Sequence, residues 1–230
     1  MKSPRFLAIC FLLTSLAPAI GKELPCKPEK WQAAIEKFAA ADLENPPAQE
    51  GIVFVGSSSI VLWKLPESFP DLNATNRGFG GSEICDSTHY LETLVIKHHP
   101  RIVVFYAGDN DIARGKTAEQ VHHDFLAFQE KLFTALPDTR LLYVAIKPSR
   151  SRWKKAPVMA AANELIAAEC ESSERMTFID IWTPMVSTQD SFEEEAMPPA
   201  DLFIKDGLHL SAKGYDLWNS ILEPHLQDDK

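Results

Sequence analysis

The sequence predicts an α/β protein, a three-layer α/β/α sandwich around a five-stranded, mainly parallel sheet. Three observations lead there. Short, wholly apolar, β-branched runs such as Ile52-Val53-Phe54-Val55 and Ile102-Val103-Val104-Phe105-Tyr106 recur along the chain. A strand that is apolar throughout is buried on both faces, which is the condition of a parallel sheet between helices. Longer stretches with apolar residues every three or four positions alternate with these runs, the pattern of repeated strand-helix units. The stronger runs end in turns of small and polar residues, where such sheets present groups to a ligand.

Length and charge set the outer limits. The chain has 230 residues and a formal net charge of -9, from 32 acidic and 23 basic residues. No dense Lys/Arg stripe is present to neutralise phosphates, which argues against a nucleic-acid partner. The start reads as an export signal: basic Lys2 and Arg5, an apolar stretch over residues 6–16, then Ala17-Pro18-Ala19 in small-x-small form. The apolar stretch is short for a membrane span of about 20 residues. A signal peptide over residues 1–19 is therefore expected, with residues 20–230 forming one exported domain and no stable membrane span after processing. Removal of the leader takes Cys10 and leaves Cys26, Cys85 and Cys170. One disulfide plus one free thiol is possible, and spacing does not choose the pair. No Cys/His spacing resembles a zinc site, and no metal or cofactor is expected.

The elements follow in order. Trp31, Ala34, Ile35, Phe38 and Ala41 give residues 27–41 one apolar helical face, and Asn45-Pro46-Pro47 ends it. Residues 51–55 form the first strand, which runs into Gly56-Ser57-Ser58-Ser59 and a short helix. Residues 72–76 form the second strand, followed by Arg77-Gly78-Phe79-Gly80-Gly81-Ser82. That turn lacks the spacing of a dinucleotide fingerprint and the Gly-Lys-Ser/Thr ending of a P-loop, which argues against a nucleotide binder. A helix over residues 83–97 is expected next. The strand over residues 101–106 ends in Gly108-Asp109-Asn110-Asp111. Residues 117–136 form a helix capped by Thr117, and residues 140–146 a fourth strand. Pro157 opens a helix over residues 157–170, and residues 177–181 form the fifth strand. The acidic, proline-bearing stretch 183–202 is a loop with at most short helices. Ser211 caps a final helix over residues 211–222.

Parallel strands share one carboxyl edge, so the turns holding Ser58, Gly81 and Asn110 can meet there with Asp206 and His209, which precede the last helix. A hydroxyl, an imidazole base, a carboxylate and neutral donors are the inventory of acyl transfer through serine. On these residues the chain resembles the SGNH hydrolases, the GDSL-type esterase/lipase family. Gly56-Ser57-Ser58 matches the family's Gly-Asp-Ser, with Ser57 in place of the usual aspartate. The local form Gly-Ser-Ser-Ser-Ile resembles a bacterial branch of undefined substrate. Gly81 matches the oxyanion-hole glycine, Gly108-Asp109-Asn110-Asp111 the Gly-x-Asn-Asp motif, and Asp206 with His209 the Asp-x-x-His motif.

The resemblance spans residues 51–222 and implies a flavodoxin-like fold. It also implies Ser58 as nucleophile, His209 as base, Asp206 as its orienting acid, and Gly81 and Asn110 as oxyanion donors. The implied substrate is a small-molecule or glycan ester, short-acyl or acetylated; the leader in turn implies a periplasmic or extracellular setting. The alternative is a carbohydrate- or lipid-binding module on the same fold. Ser57 and Ser59 are rival hydroxyls, but motif register favours Ser58. Asp111 is expected to brace its turn. Arg77, Lys147, Arg150 and Trp153, in or after sheet-end loops, are candidates to line the pocket and bind a polar or anionic part of the substrate. Trp63 and Trp182 are expected to serve the core.

Overall fold

Five strands form one sheet in the order β2-β1-β3-β4-β5, and every neighbouring pair is parallel. The computed structural model describes residues 24–186 and 191–227; the expected leader over residues 1–19 lies outside them. A 3-10 turn, Pro28–Trp31, leads into α1 (Gln32–Glu44). Then come β1 (Ile52–Gly56), α2 (Ser58–Val61), α3 (Leu65–Ser68) and β2 (Ala74–Gly78). Next are α4 (Ile84–His89), α5 (Leu91–Leu94), β3 (Ile102–Tyr106) and α6 (Asp109–Arg114). The chain continues with α7 (Ala118–Ala135), β4 (Arg140–Val144), α8 (Ala156–Glu171), β5 (Met176–Ile179) and α9 (Ala212–Leu222).

The three layers follow from the pleat. Successive strand residues point to opposite faces, and β1 shows the division. Val53 and Val55 join one core with Ile35, Leu91, Val121, Phe125, Phe128 and Met159. Ile52 and Phe54 join the other, with Ile60, Trp63, Leu65, Trp218 and Leu222. The all-apolar composition of β1 and β3 is thus explained, since every residue of both strands is buried. Trp63, 2% exposed, belongs to that second core, as expected of it.

The expected helix over residues 83–97 is broken. Helix α4 ends where Tyr90 turns to ψ 13, α5 is a single short turn, and a 3-10 turn, Ile96–His98, completes the segment. Tyr90 is held there by its hydroxyl, which donates to the Pro28 carbonyl at 3.0 Å, a long-range contact that local periodicity does not encode. The N-terminal segment is also joined to α4 covalently: Cys26 and Cys85 form a disulfide, and Cys170 is a buried free thiol. Among the described residues no helix is long and apolar enough to cross a membrane.

Candidate active site

The turn after β1 requires a glycine. Gly56 has φ 137, and a Cβ there would lie 1.9 Å from the Tyr106 carbonyl oxygen, so β1 leaves the sheet against the backbone of β3. The Ser57 amide donates to that same Tyr106 oxygen at 3.0 Å. Ser58 then takes the first position of α2, where a backbone N–H has no intrahelical acceptor. Ser57 and Ser59 are 3% and 1% exposed, whereas Ser58 is half-buried. Of the three neighbouring hydroxyls, Ser58 is the one turned toward solvent and toward a base.

That base is His209. Its Nε2 lies 3.0 Å from Ser58 Oγ, across 151 residues of sequence. Its Nδ1 lies 2.6 Å from Asp206 Oδ2. The carboxylate fixes the tautomer: Nδ1 carries the proton and donates to Asp206, leaving Nε2 to accept from the serine. Asp206 is itself fixed by its own turn, for its Oδ1 accepts from the backbone amides of Leu208 at 2.8 Å and His209 at 2.9 Å. Partial desolvation works to raise this carboxyl, but the two amides and the His209 ring outweigh it and hold the group down to about 2. Asp206 therefore stays ionised until the pH falls through about 2, and its grip on His209 persists above that. The three-residue spacing works through this side-chain-to-backbone turn, with Gly207 at φ 64, and not through a helix.

The glycine-rich turn after β2 lies against the serine. A Cβ on Gly80 would sit 3.8 Å from Ser58 Cβ, and one on Gly81, at φ 80, would sit 3.3 Å from the Trp31 ring. The next residue ties this turn to the third: Asn110 Nδ2 donates to the Ser82 carbonyl at 3.0 Å. The stretch Gly108-Asp109-Asn110-Asp111 is the start of helix α6, not a bare turn. Asp111 does brace it, fully buried, accepting from Lys116 Nζ at 2.7 Å and from the Ile84 amide at 3.3 Å. Ser58, Gly81, Asn110, Asp206 and His209 thus lie on loops and helix starts linked to one another at the carboxyl edge of the sheet.

The pocket-lining candidates fare differently. Arg77 is 5% exposed and bound to Asp42 beneath α1. Lys147 is 1% exposed and donates to Tyr106 Oη and Asp109 Oδ2, both at 2.9 Å. Both are buried ion-pair members, held inward by the Asp42 and Asp109 carboxylates. Arg150 donates to the Pro198 carbonyl at 2.5 Å, and Trp153 packs beside Trp182 and Phe192. Burial works to raise the Asp109 carboxyl, but Lys147 and Arg152 prevail and hold it below its ordinary value. Sequence reasoning passed over Arg152, whose Nη1 donates both to Asp109 Oδ1 at 2.7 Å and to Asn110 Oδ1 at 3.2 Å. Its only signal was its place in the basic run Arg150-Ser151-Arg152-Trp153-Lys154-Lys155.

A parallel sheet with polar turns gathered at its carboxyl edge defines the class of flavodoxin-like α/β sandwiches. Within it, the chain belongs to the GDSL-like lipase/acylhydrolase family, whose pattern matches residues 58–217. Among solved structures it is similar to a Streptococcus pneumonia protein provisionally described as a platelet activating factor (TM-score 0.74, 18% identity, covering 86% of this chain and 94% of that one). It is also similar to a GDSL-like lipase from Bacteroides thetaiotaomicron (TM-score 0.69, 18% identity, 84% and 97% covered). A carbohydrate esterase family 3 protein from Talaromyces cellulolyticus shares the fold at a TM-score of 0.58 and 17% identity, with 76% and 95% covered. No curated protein matches the chain significantly. Family membership supports hydrolytic activity of the esterase/lipase kind on this fold.

Proposed function

We propose that this protein hydrolyses carboxylic esters through a covalent acyl-serine intermediate, with Ser58 as nucleophile. The observation that carries the reading is the continuous hydrogen-bonded path from Ser58 Oγ through His209 to Asp206, at 3.0 and 2.6 Å. In the first step His209 Nε2 takes the Ser58 proton as Oγ bonds to the ester carbonyl carbon. The carbonyl oxygen becomes an oxyanion, met by the Gly81 and Ser58 backbone amides and the Asn110 side-chain amide. The imidazolium, stabilised by Asp206, then protonates the departing alcohol as the tetrahedral species collapses to the acyl-enzyme. Water, deprotonated by His209, attacks that acyl group and releases the acid and free Ser58. Loss of one such donor typically costs about 3–4 kcal/mol of transition-state stabilisation.

Short-acyl or acetylated substrates suit the openness of the site. The side chains of His209 and Asp206 are 25% and 43% exposed, which supports a reacting centre open to solvent. The similarity in fold to a carbohydrate esterase is in keeping with this choice. The expected export of the protein is also part of the reading. The Cys26–Cys85 bond supports it, because disulfides persist in oxidising compartments. Mass spectrometry of the mature protein should find its N-terminus at residue 20; an intact residue 1 would overturn export with cleavage.

The decisive experiment is hydrolysis of p-nitrophenyl acetate by purified protein. Ser58→Ala should abolish turnover, with at least about a 10⁴-fold loss in kcat. Ser57→Ala should retain it. Wild-type protein inert toward a broad ester panel, while folded, would favour the binding-module alternative.

A further inference from the structure

Asn110 can serve an oxyanion only if its amide presents N–H and not C=O to the cleft, and nothing in the Asn side chain itself decides this. The two ends are nearly the same size and exchange by a half-turn about one bond. The surroundings decide it. Ser82 O accepts from Nδ2 at 3.0 Å, and Arg152 Nη1 donates to Oδ1 at 3.2 Å. A guanidinium has donors only, so a half-turn of the amide would set N–H against N–H at Arg152 and oxygen against oxygen at Ser82. Arg152 is held for the task by its second Nη1 bond, to buried Asp109 at 2.7 Å. Asp109 is bound from the other side by buried Lys147 at 2.9 Å. Two cations thus share one carboxylate, and the surplus positive charge rests beside the Asn110 carbonyl.

We propose that Arg152 is a positioning residue for the ester hydrolysis: it locks the Asn110 amide with a donor toward the oxyanion and polarises it. One Nδ2 hydrogen is engaged by Ser82, and the other is left for a ligand. Electron density drawn toward Oδ1 by the guanidinium makes that remaining N–H a stronger donor. The stabilisation grows as charge develops on the substrate oxygen, so the effect falls on the chemical step more than on binding. The inference rests on the serine-esterase reading above.

The test is a double-mutant cycle on the full-length protein with p-nitrophenyl acetate, using Asn110→Ala, Arg152→Gln and both together. Asn110→Ala should lower kcat about 10²- to 10³-fold. Arg152→Gln should lower kcat about 10- to 100-fold, with KM changed less than about threefold. In the Asn110→Ala background, Arg152→Gln should cost less than about threefold more, because its effect passes through the amide. A full further loss in that background, at unchanged melting temperature, would assign Arg152 to something other than Asn110 and overturn the proposal. So would a wild-type kcat in Arg152→Gln. Should Arg152→Gln fail to fold, Arg152→Lys keeps a charge for Asp109 and is read by the same cycle. Failure of the serine-esterase reading is distinguishable: it would show as activity surviving Ser58→Ala, or as Asn110→Ala acting at full rate.

Discussion

At the scale of single residues, the site works by removing choices. Asp206 has two oxygens: one is fixed by the backbone of its own turn and the other by the His209 ring. The ring therefore has one tautomer, and Nε2 faces Ser58. Asp206→Asn would keep the shape but donate an N–H or present an uncharged oxygen where the imidazolium needs an anion. It should lower kcat for ester hydrolysis about 10⁴-fold with little effect on stability, as steady-state kinetics and thermal unfolding together would show. Ser57, standing where the family has an aspartate, is 3% exposed and donates its amide to Tyr106.

At the scale of elements, the sheet and the site owe their arrangement to how closely β1 approaches β3. Gly56 pairs with Tyr106 in register, and no other residue fits there without moving the β3 backbone. Gly56→Ala should therefore destabilise by on the order of 4 kcal/mol and disturb the Ser58 turn, seen as a lower urea midpoint and lost turnover. This scale also shows what was legible in sequence. The strands were, because a residue buried on two faces must be apolar, and the turns holding Ser58, Gly81, Asn110 and His209 were, because their chemistry is read in single letters. The break at Tyr90 was not, since the residues its hydroxyl meets, Pro28 and Gln32, lie 62 and 58 positions away. Lys147 and Arg77 read as free cations because their carboxylate partners, Asp109 and Asp42, lie 38 and 35 residues away. Arg152 stayed hidden for the same reason, with Asn110 at a separation of 42. What sequence lacks in each case is a pairing between remote polar groups.

At the scale of the whole molecule, buried charge gives the protein a pH limit. His98 is 3% exposed. Burial and the neighbouring Arg77 and Lys97 lower it to about 4, with Asp42 opposing. Its ordinary value is about 6.5. The folded state thus resists protonation that the unfolded chain accepts, so stability is full above about 6.5 and falls as the pH drops toward 4. The shift corresponds to about 3 kcal/mol. Urea titrations at a series of pH values should show this slope, and His98→Gln should flatten it. The disulfide acts at the same scale. Its 59-residue separation restricts the unfolded chain by about 4 kcal/mol, and Cys85→Ser should lower the unfolding free energy by about that amount.

That disulfide also makes residues 26–85 a covalent ring, and the ring contains Ser58 and Gly81 while Asn110, Asp206 and His209 stand outside it. A protease that cuts once within the ring releases no fragment. The nicked chain should run as one species on a non-reducing gel and as two after reduction, with Ser58 on one piece or the other according to where the cut fell.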